Sequence, residues 1–324
     1  MAIFAKASNI PTMVLNCAIM RNAPIIALQG GLGNQLFQWF YAHDILESGD
    51  FRLYPVFPPA PKVNPVRELE VNPLVARCKH LKGFVKTQGL KQYQSLLPRV
   101  FDRLWRFTQL TSTLYSLGYF REDSRLDTRS HAQPPSKIRY AAGYFLDWRI
   151  PNHQLDAVKS ELLPVLSQVF ETLIHKFALE SPYNVIHVRH WGLVVDQDPR
   201  TTMGTLSDEF YLQWIRDHPS ERLIILTEKR SEIEELISLI QPTLVLDQNS
   251  TNAWETLAIM SRAKFILGSN STLSWWGVWS AHLLGAKSYF PSEFDTTIGR
   301  FEISNFLFPL CNAVEPIWKN SKPI

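Results

Sequence analysis

The sequence predicts an α/β protein made of parallel sheets and divided into two units. From residue 184 onward, short apolar runs at 185–188, 223–226, 244–246, 265–267 and 288–290 alternate with stretches of helical length. Strands alternating with helices in this way predict a parallel sheet covered on both faces. Far upstream, the apolar run 25–28 ends in Gly30-Gly31-Leu32-Gly33, and helical spacing follows, with Leu36, Phe37, Phe40 and Tyr41 on one side. That is a second strand–turn–helix unit. The length of 324 residues is enough for two cores of ordinary size.

In chain order, residues 1–23 read as a disordered extension, with Met20 as an alternative start. The apolar run 10–20 is broken by Pro11, Thr12 and Asn16 and is too short to span a bilayer. Residues 24–150 read as the first α/β domain. A second strand is expected at 51–54, followed by a proline-rich stretch at 55–65 that cannot hold regular structure. Helices are expected around 92–114, a strand at 138–145 and a long helix over 155–177, with the domain boundary between 145 and 182. Residues 151–300 form the second, Rossmann-like domain, and 301–324 a C-terminal extension. Two helix starts carry capping-box signals, Ser231 with Glu234 and Asn252 with Glu255.

Composition narrows the function classes. A net charge of +3 is small for this length and argues against nucleic-acid binding, which needs a concentrated basic patch. It leaves room for a local anion site or peripheral contact with an anionic membrane. Cys17, Cys78 and Cys311 are far apart, with neither disulfide-framework nor zinc-finger spacing, which points to a reducing, cytoplasmic setting. Ten tryptophans suit sugar-binding surfaces and core packing alike, and composition alone favours packing.

Three segments can carry chemistry. In Gln29-Gly30-Gly31-Leu32-Gly33-Asn34-Gln35, glycines at a strand-to-helix turn bring backbone N–H groups to a ligand at the positive helix end. Glycines alone fit a purely structural turn as well, and Asn34 and Gln35 tilt the reading toward ligand contact. Leu36 stands where a dinucleotide fingerprint needs its third glycine. In His187-Val188-Arg189, the arginine sits at the carboxyl end of a buried strand, where its planar fork suits a diphosphate. A structural ion pair at Arg189 and a satisfied core histidine at His187 are the plainer readings. The run from Ser269 to Ser274 (Ser269, Asn270, Ser271, Thr272, Leu273, Ser274) opens a helix with more hydroxyls than an N-cap needs. Trp276, Trp279 and Leu283 follow at helical spacing and read as core.

Together these runs resemble glycosyltransferase family 11, the α-1,2-fucosyltransferases. The resemblance rests on the run from Gly30 to Gln38, on His187-Val188-Arg189 and on the run from Ser269 to Gly277. Gly143-Tyr144-Phe145 and Thr227-Glu228 are weaker echoes. The resemblance implies a GT-B-like pair of Rossmann-type domains facing across a cleft, GDP-β-L-fucose as donor, inversion, a terminal galactoside acceptor and no obligatory metal or other cofactor. It implies Arg189 and Asn34 as catalytic residues, and Asp196, the first acidic residue downstream of the arginine strand, joins them as the candidate base. The donor-binding set it implies is Gly31, Gly33, Asn34, Gln35, His187, Arg189, Ser269, Asn270, Ser271, Thr272 and Ser274.

One departure matters for chemistry. The family continues its arginine strand with a second arginine and then an aspartate, whereas His190, Trp191, Gly192 and Leu193 follow here, and Asp196 and Asp198 come later. The group that takes the acceptor proton is therefore open. Three alternatives stand beside this reading: an α-1,6 linkage; an NAD(P)-dependent oxidoreductase, for which Asp50 follows the glycine turn at a tolerable distance; and an inactive carbohydrate-binding descendant.

Overall fold

The computed structural model describes residues 23–46, 49–55, 69–84, 114–121, 137–189, 204–294 and 306–319. The helices expected around 92–114, His190 and the Asp196–Asp198 triplet lie outside the described residues. Two sheets form. The first contains β1 (Ile25–Leu28), β2 (Phe51–Pro55), β3 (Leu81–Phe84), β4 (Tyr119–Arg121) and β5 (Tyr140–Ala142) in the order β3-β2-β1-β5-β4. The second contains β6 (Asn184–Val188), β7 (Leu223–Thr227), β8 (Leu244–Leu246), β9 (Phe265–Leu267), β10 (Lys287–Pro291) and β11 (Asn312–Val314) in the order β11-β10-β9-β6-β7-β8. Every pairing in both is parallel. The second order is that of a doubly wound dinucleotide-type sheet, and it reverses between β6 and β9.

The helices follow from the patterns between the strands. α1 (Leu32–Leu46) leaves the glycine turn, and α2 (Asn72–Val75) is a single turn. α3 (Arg149–His153) leads into α4 (155–173), which contains a π turn at Val158–Leu162. In the second unit α5 (Asp208–Asp217), α6 (Glu234–Ile240), α7 (Ala253–Ser261) and α8 (Thr272–Leu283) connect the strands. The Asn252–Glu255 capping box forms in full at α7. The Ser231–Glu234 box does not. A 3-10 turn at Arg230–Glu232 precedes α6, and Ile233 takes the N-cap position, so Ser231 is one turn too early.

The two sheets are joined by α1 and α8 rather than by a loop. α1 is expected to show one apolar face, yet Leu32 to His43 are buried almost all round, Asn34 excepted, because the helix lies between its own sheet and α8. Phe37 meets the rings of Trp275 and Trp276 at 4.7 and 5.1 Å, and Phe40 meets Trp276 at 5.3 Å. The tryptophans are core, as their spacing implies, and the core they fill is the seam between the two units. Two Rossmann-type parallel sheets in one chain are the GT-B-like architecture the sequence leads one to expect. Among the described residues, no helix is long and apolar enough to cross a membrane.

Candidate active site

Ligands of doubly wound sheets lie beyond the carboxyl ends of the strands, where the strand order reverses. In the second sheet that point falls between β6 and β9. Arg189 follows the last residue of β6, and the Gly268–Ser274 loop follows β9. In the first sheet β1 and β5 lie side by side at the centre, and the order does not reverse between them. The glycine turn follows β1, and Gly143-Tyr144-Phe145 follows β5. The three motifs, with the weaker Gly143 echo, thus stand at the carboxyl ends of central strands, two of them at the switch point of the second sheet.

The carboxyl ends of β1 and β5 are closed by glutamines. Gln38 accepts from the Gln29 N–H (2.9 Å) and donates to the Gly143 carbonyl (2.8 Å), tying the ends of β1 and β5 together. Gln35 donates to the Gly30 carbonyl (2.9 Å) and accepts from the Glu70 N–H (2.9 Å). Gly30 adopts φ +77°, a conformation that suits glycine. The Glu70 carboxylate accepts from the Leu32 N–H at the start of α1 (3.1 Å), so a carboxylate already stands at that positive end. The Glu70 carbonyl accepts from Trp254 of the second unit (2.7 Å). Nothing in the poorly patterned stretch 66–135 marks Glu70 in the sequence.

At the switch point of the second sheet the serine-rich loop caps itself. Ser271 is the N-cap of α8 and accepts from the Ser274 N–H (3.1 Å), while the Ser274 hydroxyl accepts from the Ser269 N–H (2.7 Å). Asn270 donates to the carbonyls of Gly204 and Phe294. His187 and Ser269 pair through Nδ1 and Oγ at 3.2 Å. Burial, reinforced by the Arg189 charge, drives the His187 imidazole down to about 3, so it is neutral. Arg189 is 16% exposed in its side chain and forms an ion pair with Glu228, which follows β7, at 3.4 Å. The buried Tyr211 of α5 points its hydroxyl toward the Arg189 backbone, and burial raises its pKa.

The two strand-end turns touch each other. Trp276 donates through its indole N–H to the Gly33 carbonyl (3.0 Å), and Gly33 packs so tightly on Thr272 and Leu273 that a Cβ there would strike their backbone. The N-termini of α1 and α8 therefore meet at the seam. Of the residues expected to bind donor, Gln35, His187, Ser269, Asn270, Ser271 and Ser274 are buried and bonded within the protein, and Gly33 is buried by close packing. Gly31, Asn34 and Thr272 are partly exposed beside the Gly33–Thr272 contact, and Arg189 is partly exposed at the end of β6. A recess lined by Pro182, Tyr183, Arg262 and Lys264 lies at the opposite, amino-terminal edge of β6 and β9, away from these groups. His43, Cys78 and Glu161 form a group with metal-ligand geometry elsewhere in the first unit.

The geometry also bears on the dinucleotide alternative. Asp50 precedes β2, at the amino edge of the first sheet, and pairs with Lys82 at 3.1 Å. A ribose bound at the glycine turn lies at the other edge, out of its reach.

No family model matches the sequence, and no curated protein matches it. Among solved structures the chain is similar to the fucosyltransferase NodZ from Bradyrhizobium, with TM-score 0.48 and 10% identity over 79% of this chain and 92% of that one. It is also similar to POFUT1 in complex with GDP, with TM-score 0.39 and 13% identity over 83% and 98% of the two chains. NodZ alpha-1,6-fucosyltransferase co-crystallized with GDP gives TM-score 0.44 and 11% identity over 79% and 91%.

Proposed function

We propose that the chain is an inverting fucosyltransferase that moves L-fucose from GDP-β-L-fucose to a terminal galactoside of a glycan, forming an α-1,2 linkage. The observation that carries this reading is the position of its motifs, since Arg189 and the serine-rich loop stand at the switch point of the second sheet, and the glycine turn after β1 meets that loop at Gly33 and Thr272. Their resemblance to the family 11 motifs supplies the donor and the linkage.

In this reading the diphosphate lies against Arg189 and the start of α8. The acceptor hydroxyl attacks C1 of fucose from the face opposite the leaving group. The new C–O bond forms as the bond to the β-phosphate oxygen breaks, and the configuration at C1 inverts. Charge grows on the departing GDP, and a fixed guanidinium stabilises that state more than the bound donor. Asn34, partly exposed at the first turn of α1, faces the reacting sugar. The acceptor proton passes to a carboxylate, for which Asp196, the first acidic residue after the arginine strand, is the candidate. Gln35, His187, Ser269, Asn270, Ser271 and Ser274 hold the backbone of the two loops in place, and their hydrogen bonds serve the site through that frame. The proposed transfer needs no metal at the diphosphate, because Arg189 and the α8 N-terminus supply the positive potential there.

Nucleotide selectivity tests the proposal. GDP and GDP-fucose should raise the melting temperature, by about 2.7 kcal/mol of stabilisation at a ligand concentration about 100 times Kd. ADP, UDP and NAD should do so much less. Equal stabilisation by UDP would remove the basis for the donor assignment.

A further inference from the structure

His43, Cys78 and Glu161 lie far apart in sequence and come from three different elements. His43 is in the last turn of α1, Cys78 follows α2, and Glu161 lies in the π turn of α4. His43 Nε2 is 3.3 Å from Glu161 Oε2 and 3.8 Å from Cys78 Sγ, and the three ligand atoms lie within 4.8 Å of one another. Tetrahedral zinc, with Zn–N near 2.0 Å and Zn–S near 2.3 Å, sets neighbouring ligand atoms about 3.3–3.8 Å apart. We propose that these three side chains bind a zinc ion that staples the first unit to α4.

Two further features support the site. An extra residue per turn at Val158–Leu162 puts Glu161 in the interior, where it is 6% exposed, and π turns recur where a side chain must be redirected for function. The Glu161 carboxylate also accepts from the Trp39 indole N–H at 2.8 Å, the kind of outer hydrogen bond that orients a ligating carboxylate. A thiolate, an imidazole and a carboxylate together suit zinc rather than magnesium or calcium. His80, whose ring centroid is 6.3 Å from that of His43, stands near the three ligands and outside their group. His43 is about 17 Å along α1 from its start at Leu32, so the ion serves the frame and is separate from the proposed transfer.

The full chain should be purified without added metal and its metal content measured. Chelated protein should then be titrated with cobalt(II). About one equivalent of zinc per chain is expected. Chelation should lower the melting temperature, and zinc but not magnesium should restore it. Cobalt should give the intense visible bands of a tetrahedral site with a thiolate charge-transfer band, and Cys78→Ser should abolish that band. A chain that carries no zinc, melts unchanged after chelation and stays colourless with cobalt would leave only a His43–Glu161 ion pair and overturn the proposal. A thiolate band that persists in Cys78→Ser would place the metal elsewhere and overturn it too. If Cys78→Ser does not fold, the wild-type chelation and cobalt measurements decide alone.

Discussion

Arg189 is the residue on which the chemical reading turns, and its ion pair with Glu228 makes the test sharp. If the guanidinium stabilises the departing diphosphate, Arg189→Ala lowers the turnover number by about 10²–10³, or roughly 3–4 kcal/mol of barrier. Arg189→Lys should rescue little, because an ammonium cannot reproduce the planar fork. If the pair with Glu228 is purely structural, the alanine variant melts earlier and keeps its specific activity while folded. Rate and melting temperature on one preparation separate the two. His187 gives a second test at this scale. Its imidazole is buried and titrates at about 3, whereas an unfolded histidine titrates near its ordinary 6.5. The unfolded chain therefore takes up a proton first as pH falls. Stability that is complete above pH 6.5 is lost between there and about pH 3, at up to about 1.4 kcal/mol per pH unit. Urea unfolding across that window should show a shallower pH slope for His187→Gln; identical slopes would mean that the imidazole is not held neutral. Residue types alone could not separate these roles. Both Arg189 and His187 look like ligand groups in the sequence, and only burial and partners show that one is partly exposed and paired with Glu228 while the other braces Ser269. Glu70 was illegible for the same reason, and Glu228 was marked only as a motif echo, since a carboxylate's role here depends on which helix end or arginine it meets across the fold.

Among the elements, the contact between α1 and α8 holds the glycine turn against the switch point of the second sheet. Gly33 is a glycine because the chain comes too close there to admit a Cβ. Gly33→Ala should destabilise the protein by about 1–3 kcal/mol through overpacking, and it should weaken GDP binding because the start of α8 must move. Denaturant unfolding and nucleotide titration check both effects. A variant of unchanged stability and affinity would show that the two helix ends are not in register as described. The apolar strands β6, β7 and β9 and the helices between them were legible, because a buried parallel strand reads as a continuous apolar run whatever its length. β3, β4 and β11 were not. They are short and carry Lys82, Arg121 and Asn312, so the period-2 or all-apolar signal is lost in them. The segment 301–324, read from sequence as an extension, contributes β11 at the sheet edge, and Leu206 bridges to Trp318 within it.

For the whole molecule, the turn after β1 of the first sheet meets the helix that follows β9 at the switch point of the second sheet, and that meeting point is the proposed donor site. The sequence made the two-sheet architecture legible because each sheet begins with an apolar strand and a polar or glycine-rich turn. It could not show that the turns touch, since Gly33 and Trp276 are brought together only by the aromatic packing of Phe37, Phe40, Trp275 and Trp276. Packing of that kind adds about 0.5–1.5 kcal/mol per ring pair beyond burial, and it leaves no mark in local pattern. The most direct measurement is fucose transfer itself. Purified protein is incubated with GDP-fucose and a β-galactoside, and the product is identified by mass and linkage analysis. The account predicts a fucosylated galactoside with an α-1,2 bond and one GDP released per fucose transferred. Folded protein that binds GDP but forms no fucosylated product from any galactoside would contradict it, and would leave a carbohydrate-binding descendant in place of the enzyme.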